Sequence, residues 1–153
     1  MSAVPRIGTY SHTGLIVTDL DAAMAVYGDM FGYSWGGPFD SDSPLATCRG
    51  LLPRRTRVVI SREKPRLELI EIIDATAYDT LPGQRHRPNH VAYAVQDVGL
   101  AVTTLEKAGF IRDLAGRDEI GDTFAYMFDP NAGLHVEILA ARIEALIAQR
   151  VEN

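Results

Sequence analysis

His12 and His90 each open an apolar run, and Glu68 and Glu137 each sit inside one: the stretches read YSHTGLIV, NHVAYAV, RLELIEII and LHVEILA. Alternate side chains of a strand share a face, so Tyr10, His12, Gly14 and Ile16 should point one way. The same count groups Arg66, Glu68 and Ile70, then His90, Ala92 and Ala94, then His135, Glu137 and Leu139. A carboxylate among leucines and isoleucines is costly to bury unless it is paired or coordinated. Two imidazoles and two carboxylates, one of each per half of the chain, would suit a divalent metal ion with water or substrate in the remaining positions. Taken alone, each residue has an ordinary reading: a packed, hydrogen-bonded strand histidine, or a glutamate on a solvated face. The recurrence of the pair in both halves is what favours a metal site. Glu71 is the contrast: it falls on the opposite strand face and is replaced by Ala140 in the second half, which marks it as structural or solvated.

The elements that must position these residues come in two copies. Thr9 to Val17 reads as a strand, and Asp19 can cap a helix whose apolar positions Leu20, Ala23, Met24, Tyr27 and Phe31 recur at spacings of three and four before Gly32 stops it. The segment from His90, HVAYAVQDVGLAVTTLEKAGF, repeats this grammar: a histidine, a strand, a Val-x-Asp step, a helix and a Gly-aromatic pair. In the first half, WGGPFDSDSPLATCRGLL is turn-rich with room for a short edge strand, and RVVIS and RLELIEII form a hairpin around Glu63-Lys64-Pro65. In the second half, GRDEIGD supplies a loop, Thr123 to Phe128 a strand, and Asp129-Pro130-Asn131-Ala132-Gly133 a turn into the last strand. Each half is then a strand, a helix and about three more strands, and two copies packed about a pseudo-twofold fit better than a solenoid. The tail AARIEALIAQRVEN reads as a helix with Ile143, Leu146, Ile147 and Val151 on one side, docked on the domain.

Composition bounds the function. A chain of 153 residues with 46% hydrophobic content is enough for one domain with a real core. The net charge of −5, spread along the chain, provides no basic stripe for nucleic acid. The lone Cys48 excludes an internal disulfide, and MSAVPRIGTYSH lacks the apolar core of a signal peptide, so a cytoplasmic protein with no membrane association is expected.

With these residues in place, the chain resembles the vicinal oxygen chelate superfamily, which includes glyoxalase I, methylmalonyl-CoA epimerase, extradiol dioxygenases, fosfomycin-resistance enzymes and bleomycin-binding proteins. The resemblance runs from Tyr10 to Leu139, and is carried by the two His-strand-Asp-helix openings and by the closing strands LELIE and DPNAGLHVEIL. It implies an α+β fold in which two βαβββ modules, approximately 8–75 and 88–140, form a curved eight-stranded mixed sheet within a single domain 1–153, followed by a C-terminal helix at approximately 140–150. It places the metal ligands on His12, Glu68, His90 and Glu137, with Ni, Co, Zn, Mn or Fe as the ion. The complete quartet implies a lyase or isomerase that abstracts a proton next to a metal-chelated carbonyl through an enediolate or enolate. By resemblance to glyoxalase I, Glu137 is the catalytic base and Glu68 its symmetric partner. The alternatives are an extradiol-type dioxygenase and a non-catalytic antibiotic-binding protein. His135 could donate to a ligand from behind or touch substrate, although a hydrogen-bonded strand histidine serves equally well. Arg85, His86 and Arg87 could hold a substrate carboxylate or phosphate, although an exposed basic loop is the commoner meaning of such a run. Trp35, Phe39, Tyr93, Phe124, Tyr126 and Met127 suggest a partly apolar cavity for a small-molecule substrate with a hydrophobic or acyl part. Homodimers are common in the family.

Overall fold

The Val-x-Asp step at the end of each module's first strand sets the fold in motion. In the computed structural model, which describes residues 6–78 and 89–153, the first strand β1 (Thr9–Val17) is followed by helix α1 (Leu20–Phe31). The Asp19 side chain accepts a hydrogen bond from Ala22 N at 2.9 Å, and Gly32, at φ 76°, closes the helix in the left-handed conformation that glycine tolerates. The second module repeats the device. β7 (His90–Val95) leads to α2 (Val98–Lys107), with Asp97 accepting from Leu100 N at 2.9 Å.

The other strands are β2 (Phe39–Ser41), β3 (Leu45–Thr47), β4 (Gly50–Leu52), β5 (Arg55–Ile60), β6 (Arg66–Asp74), β8 (Ile111–Arg117), β9 (Asp122–Asp129) and β10 (Leu134–Ala140), and α3 (Ala141–Glu152) ends the chain. They form one mixed sheet in the order β2-β5-β6-β1-β7-β10-β9-β8-β3-β4. The expected curved sheet is present, with ten strands instead of eight. The difference lies in the segment read as turns with room for one edge strand: it holds three short strands, and β3–β4 crosses over to pair with β8 of the second module. The GRDEIGD loop is likewise shorter than its sequence suggests, because Gly116 and Arg117 extend β8 and Asp122 opens β9.

This crossover dictates curvature. β2 and β3 are eight strand spacings apart, about 38 Å in a flat sheet, yet only Asp42, Ser43 and Pro44 separate them in the chain. Such a link spans at most roughly 14 Å, so the sheet must curl until its margins approach each other.

Both faces of the curled sheet are covered. On the outside, Leu20, Val59, Leu67 and Leu69 pack beneath α1, and Val98, Ala101, Val102 and Leu105 pack against Ala115, Ala125, Met127 and Ile138 beneath α2. On the inside, Val151 of α3 packs with Val58, Ile60 and Ile70. The C-terminal helix therefore lies within the curl and covers the first module's inner face. Among the described residues, no helix is long and apolar enough to cross a membrane.

Candidate metal centre

The two modules meet through β1 and β7, which run antiparallel at the middle of the sheet, flanked by β6 and β10 in parallel. The register makes room for the imidazoles. His12 stands opposite Ala92, and His90 stands opposite Gly14, so each histidine faces the small residue two positions after its counterpart. Glu68 lies beside Gly14, and Glu137 beside Ala92. Two copies of a His-x-small strand and a glutamate strand thus bring four polar side chains together in an apolar setting.

Their atoms converge. His12 Nε2 and His90 Nε2 are 3.3 Å apart. Glu68 Oε2 lies 3.3 Å from each of these nitrogens, and Glu137 Oε2 lies 3.2 Å from His12 and 3.3 Å from His90. Donors at about 2.1 Å from a common divalent ion stand about 3.0 Å apart in octahedral surroundings and about 3.4 Å in tetrahedral ones, which brackets these separations. His12, His90 and Glu137 offer donor atoms all within 4.8 Å of one another, whereas Glu68 Oε2, 3.3 Å from each imidazole nitrogen, falls outside that mutually close group. Glu137 Oε2, fully buried, makes no hydrogen bond in spite of its two close nitrogens. A donor set of nitrogen and carboxylate oxygen with one buried oxygen left over fits a divalent cation.

The electrostatics agree. Burial alone would lower the histidine pKa values, but the carboxylates outweigh it, holding His12 well above the ordinary range and His90 up to about 9. For Glu68 and Glu137, burial opposes ionisation, and the two imidazoles overcome it and hold both carboxyls low. Two imidazolium protons therefore balance two carboxylates. A divalent ion with neutral imidazoles carries the same charge, so exchanging protons for metal leaves the buried cluster neutral.

His12 is held from behind. Ser11 Oγ lies 2.8 Å from His12 Nδ1 and donates its proton to Glu144 Oε2 of α3, whose other oxygen accepts from Arg66 Nη1 at 3.1 Å. A hydroxyl that gives its proton to a carboxylate is left to accept, so Nδ1 carries hydrogen and the Nε2 lone pair of neutral His12 faces the cluster. This chain depends on a bulge between Tyr10 and His12. The bulge also corrects the alternation count: Tyr10 pairs with Tyr93, their rings edge to face at 6.3 Å, so it lies on the outer face, away from His12.

A cavity of about 230 Å³ opens beside the cluster, lined by His12, Glu68 and Glu137, by Arg54, Tyr78 and Tyr126, and by apolar groups from β5, β6 and α3. Tyr126 is a wall residue as the sequence suggests, and Phe39 and Phe124 join it. Burial pushes the Tyr126 hydroxyl well up, so it stays protonated. Trp35 is elsewhere: its Nε1 donates to Met24 O at 3.1 Å and its ring stacks on Tyr33 beneath α1, because the segment after α1 folds back over the outer face. Tyr93 and Met127 also face outward. His135 does not line the cavity but is buried and bonded to Asp113 Oδ2 at 2.9 Å, which is the hydrogen-bonded alternative. Glu71 pairs with Arg57 at 3.2 Å, in keeping with a structural role. Arg85, His86 and Arg87 lie outside the described residues. Ser11, Glu144, Gly14 and Arg54 were not singled out from sequence for the site. The small residue two positions after each histidine was a usable signal; the others depend on the bulge, the helix and the crossover. All four donors come from one chain.

The sequence profile of the Glyoxalase/Bleomycin resistance protein/Dioxygenase superfamily matches residues 11–127, and the chain belongs to that family. No curated protein matches the sequence. Among solved structures, methylmalonyl-CoA epimerase from Mycobacterium tuberculosis is similar, at 17% identity and a TM-score of 0.59 over 95% of this chain and 97% of that one. A variant of the Streptomyces coelicolor methylmalonyl-CoA epimerase in complex with 2-nitronate-propionyl-CoA matches at 16% identity and a TM-score of 0.58, over 89% and 99%. A hypothetical protein from Bacillus halodurans C-125 matches at 14% identity and a TM-score of 0.60, over 88% and 95%. At these identities the likeness shows the fold.

Proposed function

We propose that this protein is a metal-dependent lyase or isomerase that removes a proton from carbon beside a carbonyl. The observation that carries the reading is the buried quartet of His12, Glu68, His90 and Glu137, with N–O separations of 3.2–3.3 Å and one carboxylate oxygen without a hydrogen bond. These four residues would hold a divalent ion, which supplies a Lewis acid that makes the C–H next to a carbonyl acidic. Glu137 is the base that takes the proton, its buried Oε2 standing 3.2–3.3 Å from the two imidazole nitrogens at the edge of the cavity. Glu68 faces the same imidazoles from the other module and can return a proton to the carbon from its own side. Ser11 keeps His12 in one tautomer, and the apolar wall of Val58, Ile60, Ile70 and Leu139 limits water around the exchanging proton. Structural neighbours that bind acyl-CoA compounds support a carbonyl substrate.

The test is to strip metal with a chelator, reload with Ni, Co, Zn, Mn or Fe singly, and follow solvent deuterium entering 2-oxoaldehyde hemithioacetals and 2-substituted acyl thioesters. Exchange with at least one pair of metal and substrate is expected, and Glu137→Gln should abolish it while retaining part of the metal. Metal-loaded protein that exchanges no substrate, or a Glu137→Gln variant with near wild-type exchange, overturns the reading. One observation favours a second reading: His12, His90 and Glu137 make a two-histidine, one-carboxylate set of the kind used by non-haem iron oxygenases. Oxygen uptake by the Fe(II) form in the presence of a catechol would decide for it.

A further inference from the structure

Arg54 is a buried cation in the same cavity, only 8% exposed, in the short link between β4 and β5. Its Nε donates to Ser43 O at 3.1 Å, and its guanidinium carbon lies 5.6 Å from the centre of the Phe124 ring. Its charge sits beside the Tyr78 hydroxyl, where it opposes the burial that pushes that group up to about 12. Among the described residues no carboxylate forms an ion pair with it, in contrast to Arg66, which is buried against Glu144 at 3.1 Å.

The place of this arginine in the cavity gives it its meaning. Arg54 lines the same cavity as Glu68 and Glu137, yet among the described residues it forms an ion pair with neither. A buried cation with no carboxylate partner is unfavourable, and a guanidinium with Nε on Ser43 O and the Tyr78 hydroxyl alongside still has Nη hydrogens for a planar oxyanion. A carboxylate matches both the single charge and the geometry, whereas a phosphate dianion overshoots the charge. The cavity of about 230 Å³ is below the roughly 300–1,000 Å³ of drug-sized pockets, so it takes a small acid or the acid end of a longer molecule.

Resting on the proposed carbonyl chemistry, we propose that Arg54 anchors a carboxylate of the substrate, which makes the substrates carbonyl compounds that also bear a free acid group.

The probes are 2-oxobutyrate and its neutral amide, with inorganic phosphate as a third ligand. Calorimetry measures their binding to wild type, Arg54→Met and Arg54→Lys, each metal-loaded and chelator-treated, with metal content and melting temperature recorded alongside. Wild type should bind the acid at least about 10-fold more tightly than the amide, and Arg54→Met should weaken the acid about 30-fold with the amide unchanged. Arg54→Lys, which keeps the charge and loses the fork, should fall between. Equal binding of acid and amide, no binding of the acid to wild type, tighter binding of phosphate, or equal loss of acid and amide in both variants overturns the proposal. Should Arg54→Met fail to fold, Arg54→Lys decides: acid affinity equal to wild type counts against the anchoring fork. Acid binding that depends on Arg54 without deuterium exchange in any substrate would overturn the reaction and leave the anchor standing; exchange without acid selectivity would do the reverse.

Discussion

The imidazole of His90 lies across the α-carbon of Gly14, so close that a Cβ on Gly14 would stand 2.0 Å from His90 Cε1 and 2.3 Å from Nε2. Glycine here is a condition for the histidine–carboxylate cluster. Gly14→Ala should drive the ring out of the cluster, lower metal affinity by at least about 10-fold and destabilise the fold by about 1–3 kcal/mol. Adding His90→Ala should restore much of the melting temperature and none of the metal affinity. A Gly14→Ala protein with wild-type metal binding would refute the close approach.

Metal binding should release protons. At pH 7 the metal-free chain carries protonated His12 and His90, the latter with its pKa raised to about 9, whereas a ligating imidazole must be neutral. Up to two protons per ion are expected, and calorimetry in buffers of different ionisation enthalpy measures them. Uptake independent of buffer identity would contradict the charge exchange.

The same groups set the pH dependence of the metal-free fold. His90 rises from 6.5 to about 9 on folding, so the stability it contributes is complete below pH 6.5 and is lost as pH climbs through 9. Glu68 and Glu137 are held below 4.5, so their contribution is complete above that pH and is lost on acidification. The melting temperature of chelator-treated protein should therefore be highest between about pH 4.5 and 6.5 and fall towards pH 9.5. A melting temperature that rises from pH 6.5 to 9.5 would reverse the assigned sign.

Ser11 is expected to act on the metal through His12. Ser11→Ala removes the acceptor for Nδ1 and should weaken metal binding about 10-fold, at a stability cost of about 1 kcal/mol. Ser11→Thr should recover most of the affinity. A chelator-dye competition assay reads both, and unchanged affinity in Ser11→Ala would remove Ser11 from the site.

Helix capping should be separable from chemistry. Asp97→Ala deletes the acceptor for Leu100 N and should lower stability by about 1 kcal/mol. Metal affinity should not move, because α2 packs on the outer face; a thermal melt and the same dye competition check the two halves of this statement.

The sequence disclosed what is local and repeated. Asp19 and Asp97 declare their helices because a cap acts within one turn, and His12 and His90 stand out because duplication places them at equivalent strand starts. Alternation puts Tyr10 on the face of His12 because it assumes an unbroken ladder, and the bulge before His12 inserts one extra residue. The β3–β4 hairpin was hidden for a different reason. Its partner β8 lies more than 60 residues away in the chain, and strands of three residues carry too little pattern to announce a distant pairing. Arg54 and Glu144 reach the site only through that crossover and through α3, so no spacing in the sequence marks them.

The strands left at the two margins, β2 and β4, are three residues each, and Asp42-Ser43-Pro44 ties one margin to the other. A foreign strand seeking a template finds only a few unpaired backbone groups at either end, and proline sits in the link between them. The turn that bends the sheet around its cavity thus also protects a ten-stranded sheet from stacking edge to edge with its own copies.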